Sequence, residues 1–120
     1  HNQFDYSNEV KLLIESITNN PKYIGGSDSL DSRLMEITKN KLFCKGGAEG
    51  VFLFAHLEKG IVGIIKVVDG NERAIPNVIY NLFKKIKILK NFELNELEKT
   101  YKFKIINHAK IITGKIETTI

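Results

Sequence analysis

The residues best suited to chemistry lie in one glycine-rich segment, Lys45-Gly46-Gly47-Ala48-Glu49-Gly50. The segment offers one cation, one carboxylate and a backbone that few side chains obstruct. Glycine tolerates unusual backbone dihedrals and lets backbone N–H groups come close to a bound molecule. The segment is therefore a candidate binding or catalytic corner. The plainer alternatives are an exposed lysine at a strand end for Lys45, and a surface salt bridge with a nearby lysine for Glu49.

Two apolar runs follow this corner and predict the strands that position it. Val51–Ala55 and Ile61–Val68 are short and rich in β-branched or aromatic residues, and Gly60 lies in their connection. The second run is almost continuously apolar, which is typical of a strand covered on both faces. A lysine inside such a strand must be paired or reach a polar cavity, because an unpaired buried ammonium is costly. Lys66 is therefore predicted to be buried, and either paired or directed into a polar cavity.

The rest of the chain alternates helical and extended patterns. Apolar spacing predicts helices at 7–18, from Ser27 or Ser29 to Ile37, from Ile75 to about Ile86, and at 93–99. Residues 41–45 are predicted to form a further strand, and 104–116 two short strands or one bent strand. Helices on either side of an antiparallel sheet give an α+β fold. Residues 1–120 are expected to form a single domain.

Composition excludes several classes of protein. A hydrophobic fraction of 42% and a charged fraction of 27% are those of a globular domain. No run of 18 apolar residues is present, so no membrane span is predicted. The polar first residues do not predict a signal peptide. The single cysteine, Cys44, excludes a disulfide framework and fits a reducing, cytoplasmic setting. Cys44 is predicted to be a buried inert thiol, with a reactive or metal-binding thiol as the alternative.

The positive net charge does not indicate a nucleic-acid partner. Of the 18 basic residues behind the net charge of +4, 16 are lysine and two are arginine. Phosphate and base recognition favour the arginine fork, and no basic-aromatic motif is present. The cluster Lys84, Lys85 and Lys87 is interpreted as a solvated helix end that complements the helix dipole. We therefore expect neither nucleic acid nor membrane as a partner.

The glycine-rich corner also carries a family resemblance. KGGAEGV, a strand, and then IIKVVDGNERAIP resemble the C-terminal half of the bacterial type II L-asparaginase family, which is similar in fold to serine β-lactamases and serine-dependent glutaminases. GSDSLDSRLM upstream and INHAKIITGKI near the end extend the resemblance over roughly Pro21 to Ile116. Three positions depart from the expected pattern. Asn20 stands where histidine is expected, Ser29 where arginine is expected, and Lys110 where glycine is expected.

The resemblance implies roles for the corner. Lys45-Gly46-Gly47 is similar to the K-T-G or K-S-G triplet on an active-site strand of serine β-lactamases, with glycine replacing the hydroxyl residue. The backbone N–H of Ala48 would be an oxyanion donor, which typically contributes about 3 kcal/mol. Gly46 and Gly47 would line the substrate. Glu49 would bind the α-ammonium of an amino-acid amide.

The resemblance also implies a supporting network behind the corner. Lys66 and Asp69, followed by Gly70, match the family's K-x-x-D-G pattern. They are predicted to form a buried ion pair that holds the strand end and the turn. Arg73 is predicted to belong to the same network.

The nucleophile of this fold is missing from the chain. The fold requires S-x-x-K, a serine activated by a lysine one helical turn later. No serine here has lysine at that spacing, and Thr38-x-x-Lys41 lies in the wrong order relative to Lys45. The chain, which begins with His1, is therefore expected to be the C-terminal fragment of a longer enzyme. No cofactor is expected in this chain, since His56 and His108 have no partner at metal spacing, and zinc is expected only through upstream residues of the full-length protein.

The resulting prediction is part of an amidohydrolase that converts L-asparagine to L-aspartate and ammonia. Its expected partners are L-asparagine or a similar small amide, the N-terminal half of the same enzyme, and further copies of itself. The isolated chain is expected to be inactive and to self-associate. Two alternatives remain open: a non-catalytic ligand-binding or interaction domain, and a fragment of a glutaminase or β-lactam-reactive hydrolase. The glycines of the K-G-G triplet count against a penicillin-recognising site.

Overall fold

The computed structural model describes residues 6–101 and 104–120, which form an α+β structure. Strands β1, β2 and β3 form an antiparallel sheet in that order, and β4 pairs with β5 in a second, antiparallel ladder. The predicted fold class is therefore confirmed. The elements are α1 (Ser7–Asn19), α2 (Lys22–Gly25), α3 (Leu30–Ile37), β1 (Leu42–Gly47), β2 (Val51–His56), β3 (Ile61–Lys66), α4 (Ile75–Lys85), α5 (Asn91–Thr100), β4 (Lys104–Ile106) and β5 (Ile112–Lys115).

The chain divides into two compact units. The first comprises the residues up to Gly46 together with Leu53–Gly63, and the second comprises Gly47–Phe52 together with the residues from Ile64 onward. Each unit has its own buried apolar residues. Those of the first are Leu34, Met35, Leu42, Cys44 and Phe54; those of the second are Phe52, Ile75, Ile79, Phe83, Ile88, Leu89, Leu94 and Leu97.

Helix α3 of the first unit begins at a capped N-terminus. Ser29 is the N-cap, and its hydroxyl accepts a hydrogen bond from the backbone N–H of Ser32 at 3.3 Å. This satisfies one of the N–H groups that the first turn of a helix leaves without a partner. The buried Ser32 hydroxyl donates to the Pro21 carbonyl at 2.9 Å, which ties the helix to the preceding segment. Of the two serines predicted as caps, Ser29 is the one used.

Two helices and the C-terminal ladder form much of the second unit. Helix α4 has Pro76 in its first turn, where the missing N–H costs no hydrogen bond. Tyr80 on α4 donates its hydroxyl to Glu98 on α5 at 3.2 Å. The buried amide of Asn77 donates to the Ile116 carbonyl at 3.0 Å and so fixes the tail to α4. Lys104 of β4 lies opposite Lys115 of β5.

Most predicted elements lie within a few residues of their expected bounds. Helix α1 begins at Ser7 as predicted, but Tyr6 is its N-cap and no side chain caps it. The short helix α2 was not among the predicted elements. No helix in the described part of the chain is long and apolar enough to cross a membrane.

The prediction that β3 is covered on both faces is wrong. Burial alternates along the strand, and Val62 and Ile64 each keep 68% of their surface exposed. Lys66 is likewise exposed and not buried. On the opposite face, the Phe54 ring lies so close to Gly63 that an added Cβ would come within 2.3 Å of it. Continuous apolar residues cannot distinguish a doubly covered strand from one whose outer face is apolar and open.

Candidate active site

Lys45 and Gly46 lie at the end of β1, in the first unit. Lys45 is exposed, and its ammonium donates a hydrogen bond to the carbonyl of Gly46. The backbone N–H of Gly46 donates to a carboxylate oxygen of Asp31 at 3.1 Å. Both polar groups of Gly46 are therefore engaged by charged side chains, which fixes the strand end from which the Lys45 side chain projects.

Asp31 is a buried carboxylate in the first turn of α3, and only 4% of its surface is exposed. Its other oxygen accepts the backbone N–H of Ser32 at 2.9 Å. Burial by itself would raise the pKa of Asp31, but hydrogen bonds from Ser29, Gly46 and Ser32 and the charge of Lys45 outweigh it and hold the pKa below its usual value. Asp31 is thus a charged group at neutral pH beside the predicted catalytic lysine.

Cys44 is fully buried, and it lies on the face of β1 opposite the exposed Lys45, because successive side chains of a strand point to opposite faces. Burial raises the pKa of the Cys44 thiol strongly, and the negative charge of Asp31 raises it further. A thiol is nucleophilic only as thiolate, so these surroundings make Cys44 unreactive. The burial of this cysteine is confirmed.

Residues 47–50 belong to the second unit and turn sharply towards β2. Glu49 has a φ of 59° and Gly50 a φ of 68°, both in the left-handed region. A Cβ added to Gly50 would lie 2.9 Å from the Val67 Cβ, so glycine is required there on two grounds. Glu49 adopts the same region with a side chain, at a cost of about 1–3 kcal/mol that its surroundings must offset. Ala48 and Glu49 are exposed, as the predicted roles require.

Lys66 holds this turn, but not in the predicted manner. Its ammonium donates to the backbone carbonyls of Glu49 and Val67, the latter at 2.8 Å. The backbone N–H of Val67 also donates to the Gly50 carbonyl at 2.8 Å. No ion pair joins Lys66 to Asp69 among the described residues, and both side chains are exposed. The predicted buried ion pair is therefore wrong. Lys66 lies on the open face of β3 and meets carbonyl oxygens there.

The rest of the predicted network is a chain of turns. The Asp69 carboxylate accepts the backbone N–H of Asn71 at 3.0 Å, and the Asn71 side chain accepts that of Arg73 at 3.0 Å. Such local bonds are typical of Asx turns. Gly70 has a φ of 74° and lies in van der Waals contact with Glu49. A Cβ added to Gly70 would lie 3.5 Å from the Cα of Glu49. Gly70 and Lys66 thus contact the Glu49 turn, whereas Asp69 and Arg73 shape the loop that presents Gly70.

The structure brings the predicted residues together in two local groups. Lys45 and Gly46 join Asp31 in the first unit, and the Glu49–Gly50 turn joins Lys66 and Gly70 in the second. Sequence reasoning assigned no role to Asp31. A signal was present, because an acidic residue two places after a serine cap lies in the first helical turn, where carboxylates are favoured. Nothing in the sequence showed that it would be buried against Gly46.

The comparison with protein-family models identifies the family. The model for L-asparaginase II matches residues 1–118, which include every residue of both local groups. A search of curated proteins gave no match. Within the described residues, no group of three or more His, Cys, Asp or Glu side chains is placed to hold a metal ion. The match spans almost the whole sequence and agrees with the resemblance of the KGGAEGV and IIKVVDGNERAIP segments, so the chain belongs to the L-asparaginase II family.

Proposed function

We propose that this chain is the C-terminal part of an amidohydrolase that hydrolyses L-asparagine to L-aspartate and ammonia. The observation that carries the proposal is the family match over residues 1–118, which contains the Lys45–Glu49 segment intact. An exposed lysine, two glycines and an exposed carboxylate occur there in sequence order. We place the enzyme in the cytoplasm, because the one cysteine is a free, buried thiol.

The reaction proceeds by acyl transfer to a serine that lies upstream of this chain, in the N-terminal half of the enzyme, and then from that serine to water. The serine hydroxyl attacks the side-chain carbonyl carbon of asparagine and loses its proton to a neighbouring base. The resulting oxyanion accepts a hydrogen bond from the Ala48 backbone N–H. The protonated base gives that proton to the amide nitrogen, the C–N bond breaks, and the nitrogen leaves as ammonia. Water then attacks the acyl carbon and loses one proton to the base, the ester bond breaks, and the base returns the proton to the serine oxygen, which releases L-aspartate and the free serine.

The Lys45–Glu49 segment supplies the wall that binds and polarises the amide. The Lys45 ammonium places positive charge beside the reacting group, where charge develops in the transition state. Gly46 and Gly47 let the amide approach the backbone without obstruction. The Glu49 carboxylate pairs with the α-ammonium of asparagine and selects an amino-acid amide over a simple amide. Zinc, which some members of the family bind, would be held by upstream residues.

Ammonia release from L-asparagine by the longest natural gene product that contains this chain tests the proposal. Lys45→Ala is expected to lower kcat/KM by about 100-fold or more, because it removes the charge that stabilises the transition state. Lys59→Ala, which removes an exposed lysine from the β2–β3 turn, serves as the control and should leave activity unchanged.

Three other results would each replace the proposed function with a different one. Faster release from L-glutamine would make the protein a glutaminase, and acylation by penicillin would indicate a β-lactam-reactive hydrolase. A natural product without an S-x-x-K serine, and without ammonia release, would leave a ligand-binding module.

A further inference from the structure

The Asp31 carboxylate is buried in a place built to receive it. Its two oxygens accept the backbone N–H groups of Ser32 at 2.9 Å and of Gly46 at 3.1 Å. Gly25 lies against it so closely that an added Cβ would come within 2.1 Å of a carboxylate oxygen. Burying a charged group is costly unless hydrogen bonds compensate it. The first unit thus supplies donors and space for one carboxylate at this position.

The same carboxylate is linked directly to the predicted catalytic lysine. Asp31 binds the N–H of Gly46, and the ammonium of Lys45 donates to the carbonyl of the same glycine. Gly46 has no side chain through which neighbours could fix it, so hydrogen bonds to its backbone decide its orientation. The positive charge of Lys45 also helps to hold the pKa of Asp31 below its usual value. Asp31 therefore acts on the strand end and on the cation.

We propose that Asp31 is the positioning residue of the asparaginase site, whose buried carboxylate fixes the Lys45–Gly46 strand end through the Gly46 N–H and keeps the Lys45 side chain in its working place. The proposal rests on the proposed function of Lys45. Asp31 does not touch the substrate. It acts through Gly46 and Lys45, so its loss should reduce turnover more than substrate affinity.

The test uses Asp31→Asn and Asp31→Ala in the longest natural gene product. The amide keeps the shape but presents an NH2 group to one of the two N–H donors, and alanine removes both acceptors. Hydrogen exchange of the peptide covering residues 42–47 should become at least 10-fold faster at Gly46 in Asp31→Ala. In the ammonia assay, kcat should fall by about 10-fold in Asp31→Asn and further in Asp31→Ala, with KM changed less than threefold.

Two matched controls separate positioning from a general effect on folding. Asp28→Asn removes an exposed carboxylate three residues earlier and should change neither exchange nor kcat. Ser32→Ala removes the buried hydroxyl bond to Pro21 and should lower thermal stability without lowering kcat. The proposal is wrong if kcat falls in Ser32→Ala as well, and if the loss of kcat for a given loss of stability is the same as in the Asp31 variants. In that case Asp31 is only structural.

The two hypotheses fail in distinguishable ways. If the wild-type protein releases no ammonia from L-asparagine, the proposed function fails, while exchange at Gly46 still decides whether Asp31 holds this strand end. If the wild type is active but Gly46 exchanges equally slowly in wild type and Asp31→Ala, Asp31 does not hold it, and the positioning proposal is overturned.

Discussion

At the scale of single residues, Gly50 and Asp31 define the two local groups more sharply than the lysines do. Gly50 allows the turn that presents Glu49, since it combines a φ of 68° with close contact to Val67. Asp31 fixes the end of β1 through the N–H of Gly46. Neither residue needs to touch a ligand. Both set the backbone on which the exposed residues depend.

Replacing Gly50 with alanine should destabilise the protein by about 2–4 kcal/mol. Part of the loss comes from the positive φ, and part from the Cβ that would approach Val67 to 2.9 Å. Gly60→Ala is the matched control, because Gly60 has a φ of 63° but no atom within 4 Å of an added Cβ. Urea unfolding of both variants measures the steric part as their difference. Equal losses would mean that the Gly50 turn relaxes away from Val67.

Asp31 should make stability depend on pH in acid. Its folded-state pKa is lowered, so the carboxylate stabilises the fold above the unfolded-state pKa of about 3.9, and this contribution is lost as the pH falls through the folded-state value. Asp31→Asn should therefore be less stable than wild type at pH 7 by about 1–3 kcal/mol, and the difference should shrink below about pH 4. Urea unfolding from pH 3 to 7 measures it, with Asp28→Asn as the exposed control. A difference independent of pH would contradict the expected ionisation.

At the scale of elements, β3 has one face packed and one face open. The Phe54 ring packs against Gly63, whereas Val62 and Ile64 point to solvent. An apolar run that predicts a strand covered on both faces therefore forms a strand with only one face buried. The open face is also where Lys66 reaches the Glu49 carbonyl, so the error about burial and the error about the Lys66 ion pair have one cause.

Gly63→Ala should destabilise the contact with Phe54 by about 1–3 kcal/mol, because the added methyl would lie 2.3 Å from the ring. The Phe54 ring would have to move away from this methyl, and the movement is costly because the ring is nearly fully buried. Gly114→Ala on β5 is the control, because its added Cβ would meet Ile105 at an ordinary 3.5 Å. Thermal unfolding compares the two variants. A loss in Gly114→Ala as large as that in Gly63→Ala would show that strand propensity, and not the ring, dominates.

At the scale of the whole molecule, several large apolar side chains remain exposed in the described residues. Besides Val62 and Ile64, they include Leu12, Leu13, Tyr23 and Val68, the last fully exposed. Exposed apolar side chains on a strand favour association with another surface. The prediction of self-association follows from this exposure and is independent of the proposed activity.

The isolated chain should therefore associate as its concentration rises. Ile64→Lys is expected to shift the association to at least 10-fold higher concentration, because it places a charge on the open face of β3. Multi-angle light scattering from 10 µM to 1 mM measures the change. Lys66→Gln, on the same strand face, controls for altered charge. A monomer throughout this range would mean that these side chains do not drive association.

The sequence by itself determined the order of the elements other than the short helix α2, the antiparallel sheet, a serine cap near the start of α3, and the family. These depend on local spacing, turn chemistry and contiguous motifs such as KGGAEGV. The tertiary structure decided which residues from distant parts of the chain lie in contact. It placed Lys66 on an open face against the Glu49 carbonyl, and it buried Asp31 against Gly46, 15 residues further along the chain. Hydrogen bonds between distant residues leave no periodicity in the sequence, and burial depends on which face of an element is covered.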